Sequence, residues 1–305
     1  MTDPIGCLAG CPPTLKACLQ TGISDDDKDD VLGGQFIRLP NQSGESFEDF
    51  KLKAKENPEQ LARVIEIVPI ILTDKDAVDV LASIVPPLHD FLEAFFPSVE
   101  ASVRRAQTMK SPAGDLQLIL KKLVGSKPRV RQPPLHRLGL VCRLPVIQQQ
   151  NDASSAQPPC TCTCCSLGPS VVQPGSNAES WLSMICLERL AFPLATREQL
   201  LERICKAAAH NVCHSLGMGH CHFYKCLMNV AYTGESFEHI PSYLCPVCLR
   251  KLWQCLRFDP LLRYQRLSSF WESRQALSQS KRWYDARLQR IKTRLISEFP
   301  FKDTK

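Results

Sequence analysis

The sequence predicts an α/β fold with a mixed sheet followed by a helical C-terminal part. Val64–Leu72 is an apolar, β-branched run, which is typical of a buried strand. Helical spacing follows it as far as Phe96, and Val99–Val103 then fits a second strand, so the three segments form a βαβ-like unit. From Pro246 onward the spacing of apolar residues is helical again.

The boundaries of each element follow from caps and breakers. Thr73 or Asp74 can cap a helix over Ala77–Val85. Pro86-Pro87 should end that helix, so Leu88–Phe96 is predicted as a separate one. The same reasoning predicts a helix over Leu116–Val124, a strand over Arg137–Ile147, a strand within Trp181–Phe192, and helices over Thr196–Leu216, Pro246–Leu256, Pro260–Trp271 and Gln275–Ile296.

Composition divides the chain into three parts. Residues 1–60 are predicted to be disordered, with Gly, Pro and an acidic run at 25–30. This run lacks the alternating ligands and the glycine of an EF-hand loop, so a solvated linker fits it better than a cation site. Residues 61–275 are predicted to form the folded domain, and residues 276–305 a basic helical tail.

A low-complexity insertion is predicted within that domain, at about 148–178. Its cysteines are Cys160, Cys162, Cys164 and Cys165. Cysteines one residue apart rarely hold a single tetrahedral ion, so a loop or disordered insertion is favoured over a zinc site.

Charge and cysteine usage suggest where the chain acts. The net charge is +6, and the chain from Leu249 onward contains fourteen Lys/Arg and only five Asp/Glu. These basic helices could dock an acidic protein or a nucleic acid, or could simply be a solvated face. The sequence shows no signal peptide and no apolar run long enough for a membrane span, so an intracellular protein, cytoplasmic or nuclear, is expected. Sixteen cysteines there indicate metal binding or free thiols.

Three histidines form the first candidate site. His210 and His214 are four residues apart on the predicted helix and therefore share one face. Gly217 can reverse the chain and bring His220 back toward them. Three neutral imidazoles that leave a fourth position open are typical of a catalytic zinc, whereas the alternative is that they are scattered surface or packing residues.

Four cysteines form the second candidate site. Cys221 and Cys226 precede the Cys245–Cys248 knuckle, a spacing typical of a closed structural zinc site. The alternatives are a redox pair or buried free thiols. Cys213 and Cys255 fall outside the pattern and are predicted to be core thiols.

These motifs together resemble the archaemetzincin family of metzincin-type zinc metallopeptidases. The family pattern is HExxHxxGxxHC, four residues, C, one residue, M and a later CxxC. The chain carries the corresponding residues in the same order: His210, His214, Gly217, His220, Cys221, Cys226, Met228, Cys245 and Cys248. The likeness is strong over residues 200–271 and weak over 64–147.

The resemblance implies a compact metzincin-like zincin domain that hydrolyses peptide bonds in a peptide or protein substrate. It implies two zinc ions per chain. A catalytic-type zinc would take His210, His214 and His220, and a structural zinc would take the four cysteines Cys221, Cys226, Cys245 and Cys248.

The chain departs from the family pattern at Asn211, which stands where the family has its general-base glutamate. An amide does not accept a proton at physiological pH, so the resemblance implies an impaired or inactive peptidase. Glu235, Glu238 or Glu202 could replace the missing carboxylate. The stretch 148–178 also replaces the family's substrate-pairing edge strand, which would remove backbone pairing with a peptide.

Asn211 and the basic tail also allow a non-enzymatic reading. In it the chain is a zinc-stabilised module that binds a protein or a nucleic acid. A nucleic-acid-binding zinc finger is disfavoured because the histidines precede the cysteines.

Overall fold

In the described residues, helices pack around a six-stranded main sheet, and two short strands form a second sheet. The computed structural model describes residues 3–24, 34–39, 44–56, 64–71, 75–108, 135–142, 173–174, 180–191, 195–230, 238–274 and 278–298. The helices in these ranges are α1 (Pro13–Gln20), α2 (Phe47–Glu56), α3 (Lys75–Phe95), α4 (Leu187–Leu190), α5 (Arg197–Ser215), α6 (Pro246–Leu256), α7 (Pro260–Glu272) and α8 (Ser278–Glu298). The strands are β1 (Ile23–Ser24), β2 (Phe36–Ile37), β3 (Val64–Ile71), β4 (Glu100–Val103), β5 (Gln107–Thr108), β6 (Leu135–Cys142), β7 (Gln173–Pro174) and β8 (Ser180–Cys186).

The main sheet is parallel except at one edge. Its order is β4-β3-β6-β8-β7, with β5 also paired to β3. β3, β4, β6 and β8 run parallel, and β7 pairs antiparallel with β8. All eight residues of β3 are buried, as expected for a parallel strand that is covered on both faces. The predicted α/β fold with a mixed sheet is confirmed.

Strand β7 lies within the stretch that was predicted to be an insertion. Gln173 and Pro174 lie inside the stretch expected to have lost its edge strand, yet they pair with Leu182 and Trp181. Proline is tolerated at an edge because no further strand needs its missing N–H. A short antiparallel edge is therefore present.

Helix α3 runs through the proline pair that was predicted to end it. Pro86 is exposed and Pro87 half-buried, so the hydrogen bonds that they remove lie toward solvent. On the opposite side the helix buries an apolar stripe at helical spacing, which includes Ile84, Leu88, Phe91 and Phe95. Burying such side chains gains about 1.5–3 kcal/mol each, enough to outweigh the cost of a proline, and the prediction of two helices is wrong.

The N-terminal part is folded where the structure describes it. Fully buried core side chains come from α1, from β2 and from α2: Leu15, Leu19, Phe36 and Phe50. Strands β1 and β2 pair in parallel as a small second sheet. The prediction of disorder over residues 1–60 is therefore wrong for these ranges, because the partners of this segment lie far away in the sequence.

Two buried arginines tie this segment to the C-terminal helices. Arg250 of α6 donates to the carbonyl oxygens of Ile5 and Cys7. Arg287 of α8 donates to the carbonyl oxygen of Cys18, in the last turn of α1. It also donates to the carbonyl oxygens of Thr21 and Gly34, which come later in the chain. We call Arg250 and Arg287 with these carbonyls the arginine clamp. It satisfies backbone acceptors that would otherwise be buried without a partner.

The C-terminal helices follow the predicted bounds closely, and α6 matches them at both ends. Residues 276–305 were predicted to form a tail, but α8 packs into the core through Trp283, Tyr284 and Ile291. Trp283 stacks on Tyr243 with the ring centroids 3.7 Å apart. The helix predicted for this tail is present as α8, and it forms part of the core.

Some predictions lie outside the described residues. They are the acidic run at 25–30, the helix at 116–124, the cysteines Cys160, Cys162, Cys164 and Cys165, and Glu235. In the part of the chain that the structure describes, none of the helices has the length and apolar character that crossing a bilayer requires.

Candidate metal centre

Helix α5 carries the histidine pair and is fixed at its start by a capping box. The Thr196 hydroxyl accepts from the Gln199 N–H at 3.2 Å, and the Gln199 side chain accepts from the Thr196 N–H at 2.8 Å. This exchange satisfies two backbone donors that the helix itself leaves open. Toward the end of the helix its residues 208–213 are all buried, so the histidine-bearing turn lies within the core.

Gly217 ends the helix and turns the chain back. Its φ of +80° lies in the left-handed region, which glycine adopts without strain. The Met218 N–H donates to the Cys213 carbonyl at 3.2 Å and closes the turn. His220 then faces His210 and His214, with ring centroids 5.4 Å and 4.8 Å away, respectively. The ligand nitrogens of the three histidines lie within 4.8 Å of one another, as the spacing predicts.

Hydrogen bonds fix the tautomers of two of the rings. His210 Nδ1 donates to the Leu227 carbonyl at 2.9 Å, and His214 Nδ1 donates to the Met218 carbonyl at 2.8 Å. A carbonyl only accepts, so both Nδ1 atoms carry the proton and both Nε2 atoms present a lone pair. These two Nε2 atoms face each other at 2.8 Å. Facing lone pairs repel each other unless both bind one cation, so the pair fits two ligands of a shared metal ion.

His220 completes the set. Within the described ranges its buried Nε2 atom has no hydrogen-bond partner, which costs free energy unless a metal takes the lone pair. Burial lowers the pKa of all three imidazoles, to about 4 for His220. At neutral pH the three rings are therefore uncharged, the form that binds a metal ion.

Asn211 lies on the same side of the helix as the histidines. At 100° per residue it is about 60° from His214 around the helix axis. It is 1 % exposed, and among the described residues its buried Nδ2 atom has no hydrogen-bond partner. An amide has a donating nitrogen and an accepting oxygen, but unlike a carboxylate it takes up no proton at physiological pH.

Two of the three carboxylates proposed as substitutes have partners outside the histidine cluster. Glu238 pairs with Arg203. Glu202 pairs with Lys206 at 3.3 Å and accepts from the Ser280 hydroxyl at 2.9 Å. Among the described residues, no carboxylate joins the three histidine nitrogens within the same 4.8 Å. Glu235 lies outside these residues.

The four cysteines converge on a second, closed centre. Cys221, Cys226, Cys245 and Cys248 are all buried, and their sulfur atoms lie within 4.8 Å of one another. The N–H groups of Met228 and Cys245 donate to the Cys226 sulfur at 3.4 Å and 3.3 Å. These two bonds fix the position of the Cys226 sulfur within the cluster.

The protonation of this group also fits a metal. Hydrogen bonds from the thiols of Cys226, Cys245 and Cys248 hold the pKa of Cys221 well below its usual range. Burial holds the pKa of Cys245 well above it. A metal ion would hold all four sulfurs as thiolates and release the protons that they still carry. Of the two predicted core thiols, Cys213 is buried and Cys255 half-buried.

Two residues near the centre have no signature in the sequence. Glu45 accepts from the Gly219 N–H at 3.4 Å and so contacts the histidine loop. Asn229 hydrogen-bonds to the loop between the first two cysteines. Glu45 lies in the segment that was predicted to be disordered, and Asn229 differs in no visible way from a surface asparagine.

Comparison with known proteins places both clusters in one family segment. Residues 176–254 match the model of Peptidase family M54. Archaemetzincin-1 of Homo sapiens is 46 % identical over 63 residues, which are 21 % of this chain and 13 % of that protein. Archaemetzincin-2 of Rattus norvegicus is 40 % identical over 68 residues, 22 % of this chain and 19 % of that one. The chain thus matches under a fifth of the length of these relatives.

Solved structures are similar over a longer stretch. The archaemetzincin of Methanopyrus kandleri aligns with 64 % of this chain and 97 % of its own, with a TM-score of 0.40 and 17 % identity. A zinc-dependent peptidase from Methanocorpusculum labreanum aligns with 61 % of this chain and 99 % of its own, with a TM-score of 0.41 and 15 % identity. The segment 176–254, which holds both clusters, is therefore similar in sequence to the model of Peptidase family M54 and to archaemetzincins.

Proposed function

We propose that the chain is an archaemetzincin-like zinc metallopeptidase domain whose hydrolysis of peptide bonds is impaired or absent because of Asn211. The observation that carries the proposal is the geometry of His210, His214 and His220, whose nitrogens converge while Asn211 lies beside them. Three imidazoles leave one position of a tetrahedral ion open, which is the arrangement of a catalytic site rather than of a structural one.

The roles of the protein's residues follow from their chemistry. The three histidines would hold one zinc ion and the four cysteines a second, so two ions per chain are expected. Zinc in the histidine site supplies Lewis-acid polarisation of a carbonyl group or a water molecule. Leu227 and Met218 orient two of the rings through their carbonyl oxygens. Asn211 can donate to a bound oxygen but cannot accept a proton from it, so the proton-transfer step lacks its base.

The test restores the missing carboxylate. Asn211→Glu should raise the rate of peptide hydrolysis by about 10²–10⁴, the usual contribution of a general base. Asn211→Gln is the matched control, because it has the same length as glutamate without the charge. Elemental mass spectrometry of the chelator-washed proteins would check that all three carry two zinc ions per chain.

The outcomes of this test distinguish a peptidase site that lacks its base from a chain with a structural zinc site only. A gain for Asn211→Glu alone supports a peptidase site that lacks only its base. Equal rates for a folded, zinc-loaded Asn211→Glu protein and its parent would contradict the proposal. A single zinc that is lost with Cys245→Ser and Cys248→Ser, but kept in His210→Ala, would leave only the structural site.

A second candidate function is a non-enzymatic, zinc-stabilised module that binds an acidic protein or a nucleic acid. Asn211 favours it, because a binding module needs no general base. Its charged surface is smaller than the sequence suggests, since Arg250, Lys251, Arg263 and Arg287 are buried. Binding to an acidic polymer should weaken steeply with salt. Binding that does not change between low and high salt would contradict an electrostatic dock.

A further inference from the structure

The two metal clusters share one short loop. His220 and Cys221 are neighbours in the chain, so a ligand of each cluster lies on either side of one peptide bond. Leu227 directly follows Cys226, and its carbonyl accepts the hydrogen bond that orients His210. Two of the three histidines are therefore positioned by backbone that the cysteine cluster holds in place.

Hydrogen bonds define the position of the Leu227 carbonyl. The Leu227 N–H donates to the Tyr243 carbonyl at 2.8 Å, two residues before the Cys245–Cys248 knuckle. Next to it, the Cys221 N–H donates to the Met228 carbonyl at 2.8 Å. Displacement of either cysteine pair would therefore move the carbonyl that fixes the His210 tautomer and ring angle.

The Asn229 side chain joins the two ends of the loop. Its Oδ1 atom accepts from the Cys226 N–H at 2.8 Å. Its Nδ2 atom donates to the carbonyls of Cys221 at 2.7 Å and Tyr224 at 3.0 Å. All of its main hydrogen-bonding capacity is used inside this loop, although Asn229 is not itself a metal ligand.

We infer that the cysteine site controls the histidine site through this loop, with Asn229 as the positioning residue. The inference rests on the proposed function, because it requires the histidines to bind a metal. A filled cysteine site holds Leu227 against His210 and raises the affinity of the histidine site. By linkage a metal in the histidine site raises the affinity of the cysteine site by the same factor. Loss of a partner that orients a ligand usually costs about 10–100-fold in metal affinity.

The experiment measures zinc affinity at each site of the full chain. Co²⁺ distinguishes the sites, because thiolate ligation gives charge-transfer absorption that imidazole ligation lacks. Competition with a chromophoric chelator then gives the zinc dissociation constants. Asn229→Ala keeps all seven ligands, and Ser268→Ala is the control, since it removes a buried hydroxyl that bonds to Asp285 away from the loop.

The expected result is a rise of about 10–100-fold in the zinc dissociation constant of the histidine site for Asn229→Ala, against less than twofold for Ser268→Ala. Cys245→Ser combined with Cys248→Ser should weaken the histidine site by a similar factor. An unchanged histidine-site affinity in both variants, with the parent binding two ions, would overturn the inference and leave the proposed function standing. A parent that binds no metal at its histidines would overturn both. Coupling without any gain from Asn211→Glu would overturn the peptidase proposal alone.

Discussion

Lys251 donates hydrogen bonds to both the carboxylate and the carbonyl oxygen of Glu45, at 2.7 Å and 2.6 Å. The Lys251 side chain is 2 % exposed and that of Glu45 is 11 % exposed. The same carboxylate accepts from the Gly219 N–H, next to His220. Burial alone would raise the pKa of Glu45, but the hydrogen bonds from Lys251 and Lys53 outweigh it and the pKa is lowered. This pair thus joins the N-terminal segment to the histidine loop.

Replacement of Lys251 should destabilise the fold much more than replacement of Lys53. Lys251→Met leaves a partly buried carboxylate without its main partner, and we expect a loss of about 2–4 kcal/mol. Lys53 pairs with the same carboxylate at 2.8 Å but is 68 % exposed, so Lys53→Met should cost less than about 1 kcal/mol. Urea unfolding of the zinc-loaded proteins measures both. Equal losses would contradict the role assigned to burial.

The buried His136 side chain should lower the free energy of unfolding in acid. It is wholly buried in β6, hydrogen-bonds to the Ser183 hydroxyl at 3.0 Å, and has its pKa lowered by burial to about 3. The unfolded chain takes up the proton near pH 6.5 and the folded chain does not, so stability is present above that pH and falls below it. Between pH 6.5 and 5 the loss from this group is about 2 kcal/mol.

His136→Leu isolates this contribution, because every other titrating group is retained. The free energy of unfolding of the parent should fall by about 2 kcal/mol more than that of the variant from pH 6.5 to pH 5. Urea titrations at the two pH values provide the comparison. Parallel pH profiles would show that His136 is protonated in the folded state as readily as in the unfolded one.

Gly34 should not tolerate a side chain. Its φ is +69°, and a Cβ atom there would lie 2.8 Å from the carbonyl carbon of Ala286 in α8. Gly10 has a φ of +75° but open space around the same position. Gly10→Ala should therefore cost only the left-handed backbone strain of about 1–2 kcal/mol. Gly34→Ala adds a clash with backbone that typically costs about 1–3 kcal/mol more. Thermal unfolding would rank the two, and equal midpoints would refute the close approach.

Replacement of Arg287 should lower the free energy of unfolding, although in the sequence Arg287 is only one of several basic residues of α8. Arg287→Met removes the donors to Cys18, Thr21 and Gly34, and we expect a loss of about 2–4 kcal/mol. Lys292→Met on the same helix is the control, because Lys292 is exposed, and its effect should stay within about 0.5 kcal/mol. A small loss for both in urea unfolding would mean that other groups satisfy these carbonyls.

Helices and strands whose ends are set by neighbouring residues could be predicted from the sequence. The apolar run of β3, the start of α5 next to Thr196 and the Pro246 start of α6 are visible within a few residues, and each lies within one residue of its predicted position. Helix α3 was missed at Pro86 because its buried stripe outweighs the local proline signal. Tertiary packing decided that case, and no window of sequence contains it.

The metal clusters were predictable for the same reason, and their surroundings were not. His210 and His214 share a helix face by spacing alone. Gly217 predicts the turn that brings His220 close to them. The group that orients His210 is the carbonyl of Leu227, and every residue has a carbonyl. Glu45 reaches the loop across 174 positions. Such partners become visible only in three dimensions.

The arginine clamp also limits the order in which the nascent chain can fold during synthesis. A ribosome delivers Cys18 and Thr21 early, but the guanidinium of Arg287 that satisfies them emerges 269 and 266 residues later. Until then the carbonyl oxygens of Cys18 and Thr21 lack this partner and must be hydrogen-bonded by water. Closure of such distant contacts is slow, since the chain between them must first be ordered. The nascent chain therefore completes this half of its core only after α8 has left the exit tunnel.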